Sequence, residues 1–232
     1  ITRYTTEVLA SLPTMERLAP PPKLASGPLG HLWEQTVLPA RLRGRPLWSP
    51  ANFGPLTVER QALTIYDASP IDHPEWFSRT YSEIFRTLVP RVASRATVVM
   101  TISEFSRGRI AETMGIDADR IVIAAPGIGP PFTVRTEPPP ERGTDIVVLA
   151  GPDPRKNLAG VLAAWSSSRS AVHCHRLVVI TGRRPSAVFG AVDDVGDDSL
   201  VGVISDPTDD ELVGRLRTAA AVVFVPLYEG FG

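Results

Sequence analysis

The sequence has very few cysteines and no marked excess of charge. Its 232 residues include a single cysteine, Cys174, which excludes an internal disulfide framework and is typical of a reducing compartment such as the cytoplasm. The 24 basic residues are balanced by 25 acidic residues, so the formal net charge is −1. A chain-wide electrostatic attraction for nucleic acid is therefore excluded, and we expect no nucleic-acid partner.

Long hydrophobic runs are also absent from the sequence. No apolar run reaches the roughly 18 residues that a membrane-spanning helix needs, and no basic-then-apolar leader is visible. The sequence therefore predicts no transmembrane segment. It leaves open a peripheral contact with the inner face of the membrane.

Patterns of metal ligands are scarce as well. His173 and His175 flank Cys174, but no third or fourth ligand follows at a spacing typical of zinc sites. The acidic run at 193–198 lacks the ligand spacing and the terminal glutamate of a calcium-binding loop. We therefore predict no metal site.

The sequence is rich in proline, and one proline-rich stretch marks a boundary. Residues 133–144 contain three prolines and four charged residues without apolar periodicity, which is typical of a linker. We predict a first domain over residues 1–132 and a second over residues 145–232. Apolar strands alternate with helical stretches in the second domain, and this alternation requires parallel pairing with helical crossovers. The predicted strands are 146–150, 177–181, 200–204 and 221–225, and the predicted helices are 156–167, 185–191 and 209–219.

The first domain shows the same alternation. The stretch from Val98 to Ala125 is typical of a strand, a helix and a parallel return strand, with Ser103 as the helix N-cap and Gly115 at its end. A helix from Leu29 to Leu42 is predicted to pack through Leu32, Trp33, Thr36, Val37 and Ala40. The fold class is therefore α/β, with two doubly wound Rossmann-like domains.

Two loops of the second domain carry the chemistry. A strand ends at Gly151, and Arg155 and Lys156 open the predicted helix, where unpaired N–H groups and two cations suit a phosphate-bearing ligand. An ordinary strand-to-helix turn with two solvated cations is the alternative. A second strand leads into residues 229–232, and both loops follow the carboxyl ends of parallel strands, where open α/β sheets bind ligands.

These motifs resemble a known family. PRKN at 154–157, followed by YEGFG at 228–232, resembles the C-terminal half of the retaining family-4 glycosyltransferases of the GT-B fold. PEWFS at 74–78 with the later Pro-Arg pair is similar to bacterial mannosyltransferases and related enzymes of polysaccharide biosynthesis. The resemblance implies two domains facing a cleft, an acceptor-side domain and then a nucleotide-sugar domain. It also implies that the chain is incomplete at both ends and that the second domain is truncated.

The resemblance implies transfer of a hexose to a glycan or lipid-linked glycan acceptor, with retention of configuration and without a metal ion. Mannose from GDP-mannose is the favoured donor. No cofactor is implied beyond the nucleotide-sugar donor, GDP- or UDP-linked. A nucleotide-sugar or glycan-binding module without activity, and a GT-B-fold sugar-nucleotide epimerase, remain as alternatives.

The resemblance also assigns donor-side residues. Arg155 and Lys156 would stabilise the leaving group, and Glu229 matches the first glutamate of a Glu-x7-Glu pair that holds the donor sugar. The second glutamate would fall beyond the last residue, so ribose binding is not assigned. The N–H groups of the glycine-rich loop would help Arg155 and Lys156 to stabilise the phosphates. The end of a strand would contact the nucleobase through its backbone. The alternative is that this strand end is only a capped strand–helix junction. These residues are Gly230, Phe231 and Gly232 in the loop and Ile204 and Asp206 at the strand end.

On the acceptor side, the resemblance implies a His-Asp pair at the end of a strand. Tyr66 occupies the histidine position and Asp67 the aspartate position, so Asp67 joins Arg155, Lys156 and Glu229 as a predicted catalytic residue. His73 and Ser103 are further acceptor-side candidates. The alternatives are a turn-capping role for Asp67, a loop position for His73 and a helix cap for Ser103.

Overall fold

The computed structural model describes residues 2–12, 14–25, 27–133, 138, 140–151, 153–168, 174–182 and 200–231. Within these residues no helix is long and apolar enough to cross a membrane. The chain divides into two compact units. The first comprises Ile1–Pro74, Arg79–Pro126 and Gly230–Gly232, and the second comprises Glu75–Ser78 and Gly127–Glu229.

The first unit is built on a four-stranded parallel sheet whose strands lie side by side in chain order. Parallel strands need crossover connections, and helices in the intervening sequence provide most of them. The strands are β1 (Leu47–Ser49), β2 (Gln61–Thr64), β3 (Val98–Thr101) and β4 (Ile121–Ile123). The helices are α1 (Thr2–Ser11), α2 (Gly27–Leu42), α3 (Ser69–Asp72), α4 (Arg79–Arg95) and α5 (Glu104–Met114), with short 3-10 helices at Pro22–Leu24, Pro74–Trp76 and Ala118–Arg120.

Local capping sets the ends of α5 as predicted. The Ser103 side chain accepts a hydrogen bond from the Ser106 N–H, which satisfies one of the unpaired donors of the first turn. Gly115 follows the helix with φ of 66°, a left-handed conformation that favours glycine. The core of this unit forms where α4 packs on the sheet, with Phe85 and Val89 against Leu63.

The predicted packing face of α2 is wrong except at Trp33, which is buried. Leu32 is 59% exposed and Val37 is 38% exposed, whereas Leu38 and Leu42 are buried beside Trp33. The helix carries apolar residues on several sides, so periodicity alone did not identify the face that packs.

The second unit has its own four-stranded parallel sheet. Its strands are β5 (Asp145–Leu149), β6 (Arg176–Thr181), β7 (Val201–Ser205) and β8 (Ala221–Val223). Their order in the sheet is β7-β6-β5-β8. Helix α6 (Leu158–Ser167) packs on one face through Trp165 against Val179, and α7 (Asp209–Thr218) packs on the other through Leu212. Helices on both faces confirm the doubly wound arrangement. The helix predicted at 185–191 lies outside the described residues.

Helix α6 begins later than predicted. Pro154–Lys156 form a short 3-10 helix, Asn157 takes a left-handed conformation with φ of 56°, and α6 starts at Leu158. Arg155 and Lys156 therefore lie in a turn before α6 rather than in its first turn. Asp153 produces this turn, because its side chain accepts a hydrogen bond from the Arg155 N–H.

Candidate active site

A cavity of about 400 Å³ lies within the second unit. The chain leaves β5 towards β6 on one side and returns to β8 on the other, so the carboxyl end of β5 is a topological switch point. Open α/β sheets bind ligands at such points. The lining residues come from the ends of β5, β6 and β7 and from α7: Leu149, Ala150, Gly151, Asp153, Lys156, Ile180, Thr181, Gly182, Asp206, Pro207 and Leu212.

Lys156 lines this cavity and contacts Glu229. The Lys156 Nζ donates to Glu229 Oε2 at 2.5 Å, and it also lies 5.2 Å from the centroid of the Phe224 ring. The two charged side chains are 73 positions apart in the sequence. The structure thus brings together two of the predicted catalytic residues.

Arg155 is engaged within its own loop. Its guanidinium donates to both carboxylate oxygens of Asp153 at 2.7–2.9 Å, a bidentate pair of high geometric specificity. The Arg155 Cζ also lies 5.6 Å from the centroid of the Phe77 ring. Unlike Lys156, Arg155 is not among the residues that line the cavity.

The two loops at the carboxyl ends of β5 and β8 are hydrogen-bonded to each other. The Leu227 N–H donates to the Arg155 carbonyl at 2.8 Å, and the Asn157 side chain donates to the Val225 carbonyl at 3.0 Å. Next to them, the Tyr228 and Trp76 rings meet edge to face at a centroid distance of 6.4 Å. These contacts hold Lys156 and Glu229 side by side.

The end of β7 supplies the third wall of the cavity. Asp206 has φ of 53°, a left-handed conformation that Asp tolerates better than most residues, and its N–H donates to the Thr181 carbonyl at 2.8 Å. The Ile204 side chain packs on the core of the unit, and Ile204 is not among the residues that line the cavity. A capping box between Thr208 and Glu211 follows, and its hydrogen bonds lower the pKa of Glu211, the Thr208 backbone bond most strongly.

Gly230 packs within the first unit. Its carbonyl oxygen accepts hydrogen bonds from the hydroxyls of Ser103 and Ser106, the second at 3.1 Å. Phe231 beside it is about half exposed, and Gly232 lies outside the described residues. Ser103 therefore combines its capping role with a contact to the glycine-rich loop.

The other acceptor-side candidates follow β2. Asp67 Oδ1 accepts from the backbone N–H of Ser69 at 2.9 Å and from the Ser69 hydroxyl at 2.5 Å, so Asp67 does cap this turn. The Tyr66 N–H donates to the Asn52 side chain at 3.0 Å. His73 is the C-cap residue that follows α3, and its N–H donates to the Ser69 carbonyl at 2.8 Å.

Sequence reasoning missed several residues of the site. Thr181, Gly182 and Pro207 line the cavity because they follow the carboxyl ends of β6 and β7, and this position was a usable signal. Ser106 has no comparable signal, since its partner Gly230 lies 124 positions away. Among the described residues, no group of three or more His, Cys, Asp or Glu side chains is placed to hold a metal ion.

No protein-family model matches this sequence, and no curated protein matches it. The structure is similar to the crystal structure of TarM, a GT-B glycosyltransferase, with a TM-score of 0.52 and 14% identity over 76% of this chain. It is also similar to a glycine-to-arginine mutant of S. aureus TarM in complex with fondaparinux, α-GlcNAc-glycerol and UDP, with a TM-score of 0.51 and 14% identity over 74% of this chain. The chain spans about a third of the length of these proteins, 34% and 33%. At this identity the similarity shows the fold, which is GT-B with two Rossmann-like domains.

Proposed function

We propose that this protein is a glycosyltransferase of the retaining family-4 type, which transfers a hexose from a nucleotide-sugar to a glycan or lipid-linked glycan acceptor. Mannose from GDP-mannose is the first candidate donor. One observation carries the proposal: Lys156, which lines a switch-point cavity of about 400 Å³, donates to Glu229 at 2.5 Å. This volume is within the usual range for small-molecule sites.

Lys156 is the proposed phosphate-binding cation. It lines the cavity, and a fixed ammonium group stabilises the charge that develops on the leaving nucleoside diphosphate without reorganising. Glu229 would accept hydrogen bonds from hydroxyl groups of the donor sugar. Its existing contact with Lys156 keeps both groups in one place before the donor binds.

Arg155 has a different environment, and we propose a smaller direct share for it. Its bidentate pair with Asp153 and its position over Phe77 hold the turn that presents Lys156. The Asp153 carboxylate offsets the positive charge of Arg155 at longer range, so a diphosphate gains little direct attraction from this guanidinium.

The nucleobase is proposed to lie between the ends of β6 and β7. Asp206, with its left-handed backbone, and the Thr181–Gly182 turn form the wall at this position. Backbone N–H and C=O groups together with one carboxylate provide the few placed polar groups that orient a ligand in a largely apolar pocket.

We further propose that the reaction retains the configuration of the sugar and needs no metal ion. We propose that the protein acts in the cytoplasm, at the inner face of the membrane. Tyr66, Asp67, His73 and Ser103 are the proposed acceptor-side residues. The UDP in the complex of the similar TarM mutant favours a UDP-linked hexose as the second candidate donor.

A panel of GDP- and UDP-linked hexoses, tested with glycan and glycolipid acceptors, checks the proposed function. We expect transfer from one donor, and a product whose anomeric configuration by NMR matches that of the donor sugar. The Glu229→Gln variant keeps the shape of the side chain and serves as a low-activity control. Binding of a nucleotide-sugar without transfer to any acceptor would instead identify a binding module.

A further inference from the structure

The side chain of Asn157 does not cap the helix that it precedes. Asn157 is the N-cap residue of α6, where an asparagine side chain usually accepts from a backbone N–H of the first turn. No N–H of this described turn donates to it, and its amide nitrogen instead donates to the Val225 carbonyl at 3.0 Å. Asn157 also has φ of 56°, a conformation that glycine adopts at lower cost. The residue thus gives up local stability while its amide binds another segment.

The residues on either side of Lys156 are both bonded to the segment that follows β8. The Arg155 carbonyl accepts from the Leu227 N–H at 2.8 Å. On the other side of Lys156, the Asn157 amide donates to the Val225 carbonyl. The turn is therefore fixed to this segment both before and after the lysine. All of these residues belong to the second compact unit.

Gly160 provides the space that the Asn157 amide occupies. A Cβ at position 160 would lie 2.9 Å from both the Cγ and the Nδ2 of Asn157, and closer still to its Oδ1. These atoms form the end of a flexible side chain, so an alanine at this position would displace the amide and leave the helix backbone in place. Glycine is needed here for the amide, because Gly160 is not among the glycines with positive φ.

We propose that Asn157 is a positioning residue, whose amide is seated over Gly160 and fixes the turn that presents Lys156 to the donor diphosphate. Val225 directly follows Phe224, whose ring centroid lies 5.2 Å from the Lys156 ammonium, so the same bond also places this ring. The consequence for sugar transfer rests on the proposed function. The fixing of the turn can be measured without it.

Two variants and a matched control isolate the amide. Asn157→Gly removes the amide and keeps the left-handed conformation without strain. Gly160→Ala favours the helix, because alanine has the higher helix propensity, but it crowds the amide. Gly214→Ala is the control, since Gly214 lies within α7 and a Cβ there would have open space around it.

We expect Asn157→Gly and Gly160→Ala each to lower kcat/KM by about 10- to 100-fold, since small displacements of reacting groups have effects of this size. Exchange of the Leu227 N–H, followed by NMR, should become about 2- to 10-fold faster, which corresponds to one net hydrogen bond. The urea unfolding midpoint should stay close to that of the wild type, because the gain in backbone conformation offsets the lost bond. Gly214→Ala should change neither kcat/KM nor this exchange.

The double variant tests whether both changes act through the amide. With Asn157→Gly in place, alanine at position 160 crowds nothing, so the double variant should have the kcat/KM of Asn157→Gly alone. Additive losses would overturn the role of Gly160 as the seat of the amide.

Wild-type exchange at Leu227 in both single variants would overturn the fixing of the turn. Faster exchange with wild-type kcat/KM would overturn the positioning role. If the wild-type protein transfers no sugar from any donor, the proposed function fails, and the exchange experiment still decides whether Asn157 fixes the turn.

Discussion

Replacement of Lys156 by alanine tests the central feature of the proposed site. Lys156 is the cation that lines the cavity, and its ammonium group lies 2.5 Å from the Glu229 carboxylate. Alanine removes the charge and leaves Glu229 facing the diphosphate without a cation between them. We expect weaker binding of both GDP and UDP, because the phosphates are common to the two nucleotides.

The expected loss of nucleotide affinity depends on how exposed the Lys156 and Glu229 side chains are. A hydrogen bond to a charged group contributes about 1.5–3 kcal/mol, equivalent to roughly 10- to 150-fold in Kd. The Lys156 and Glu229 side chains are 31% and 27% exposed, so solvent screens part of the interaction. We therefore expect the lower part of this range, about 10- to 30-fold.

Isothermal titration calorimetry with GDP and UDP measures the effect directly. Arg176→Ala is the matched control, because Arg176 pairs with Asp145 at the amino end of β6, away from the cavity-lining strand ends. Arg155→Ala should weaken binding less than Lys156→Ala and lower the unfolding midpoint more, since Arg155 is bonded to Asp153. Wild-type affinity for both nucleotides in a folded Lys156→Ala protein would refute the phosphate-binding role of Lys156.

Three further outcomes are expected. Transfer activity should survive EDTA, because in the proposed site Lys156 and loop N–H groups would oppose the phosphate charge, and activity lost on chelation and restored by Mg²⁺ or Mn²⁺ would contradict this. Phe85→Ala should lower the free energy of unfolding by about 3–5 kcal/mol in chemical denaturation, since Phe85 is fully buried between Phe53 and Tyr81, and a loss under 1 kcal/mol would disprove its place in the core. The pKa of Glu211 is lowered from 4.5 in the folded state, chiefly by its hydrogen bond to the Thr208 backbone, so its carboxylate stabilises the fold above pH 4.5 and this contribution is lost as pH falls through the folded pKa. The stability difference between wild type and Glu211→Ala should therefore shrink below pH 4.5 in urea titrations, and a difference that is constant with pH would exclude this linkage.

The local features of the fold could be predicted from the sequence. Ser103 and Gly115 bound α5 because a side-chain oxygen at the start and a left-handed glycine at the end satisfy backbone groups only a few residues away. The apolar runs that became β5 and β6 are similarly self-contained, since a strand buried on both faces is apolar at nearly every position. These signals depend on neighbours along the chain, which the sequence states directly.

Several features depended on the tertiary structure. The packing face of α2 was mispredicted because leucine and valine occur on more than one side, and only the position of the sheet decides which side is buried. Helix α6 begins at Leu158, later than predicted, because the Asp153 side chain accepts a hydrogen bond from the Arg155 N–H and Asn157 has a left-handed backbone conformation. Helical periodicity does not reveal this arrangement.

The contacts of the site were decided in the same way. The sequence identified Lys156 and Glu229 as candidates, but their 2.5 Å contact over 73 positions exists because β5 and β8 pair as neighbours in the sheet. The sequence alone contained no sign of the contact between Ser106 and Gly230. Residues far apart in the chain meet only where strand order and register place them, and this order is set by the packing of the whole unit rather than by any local segment.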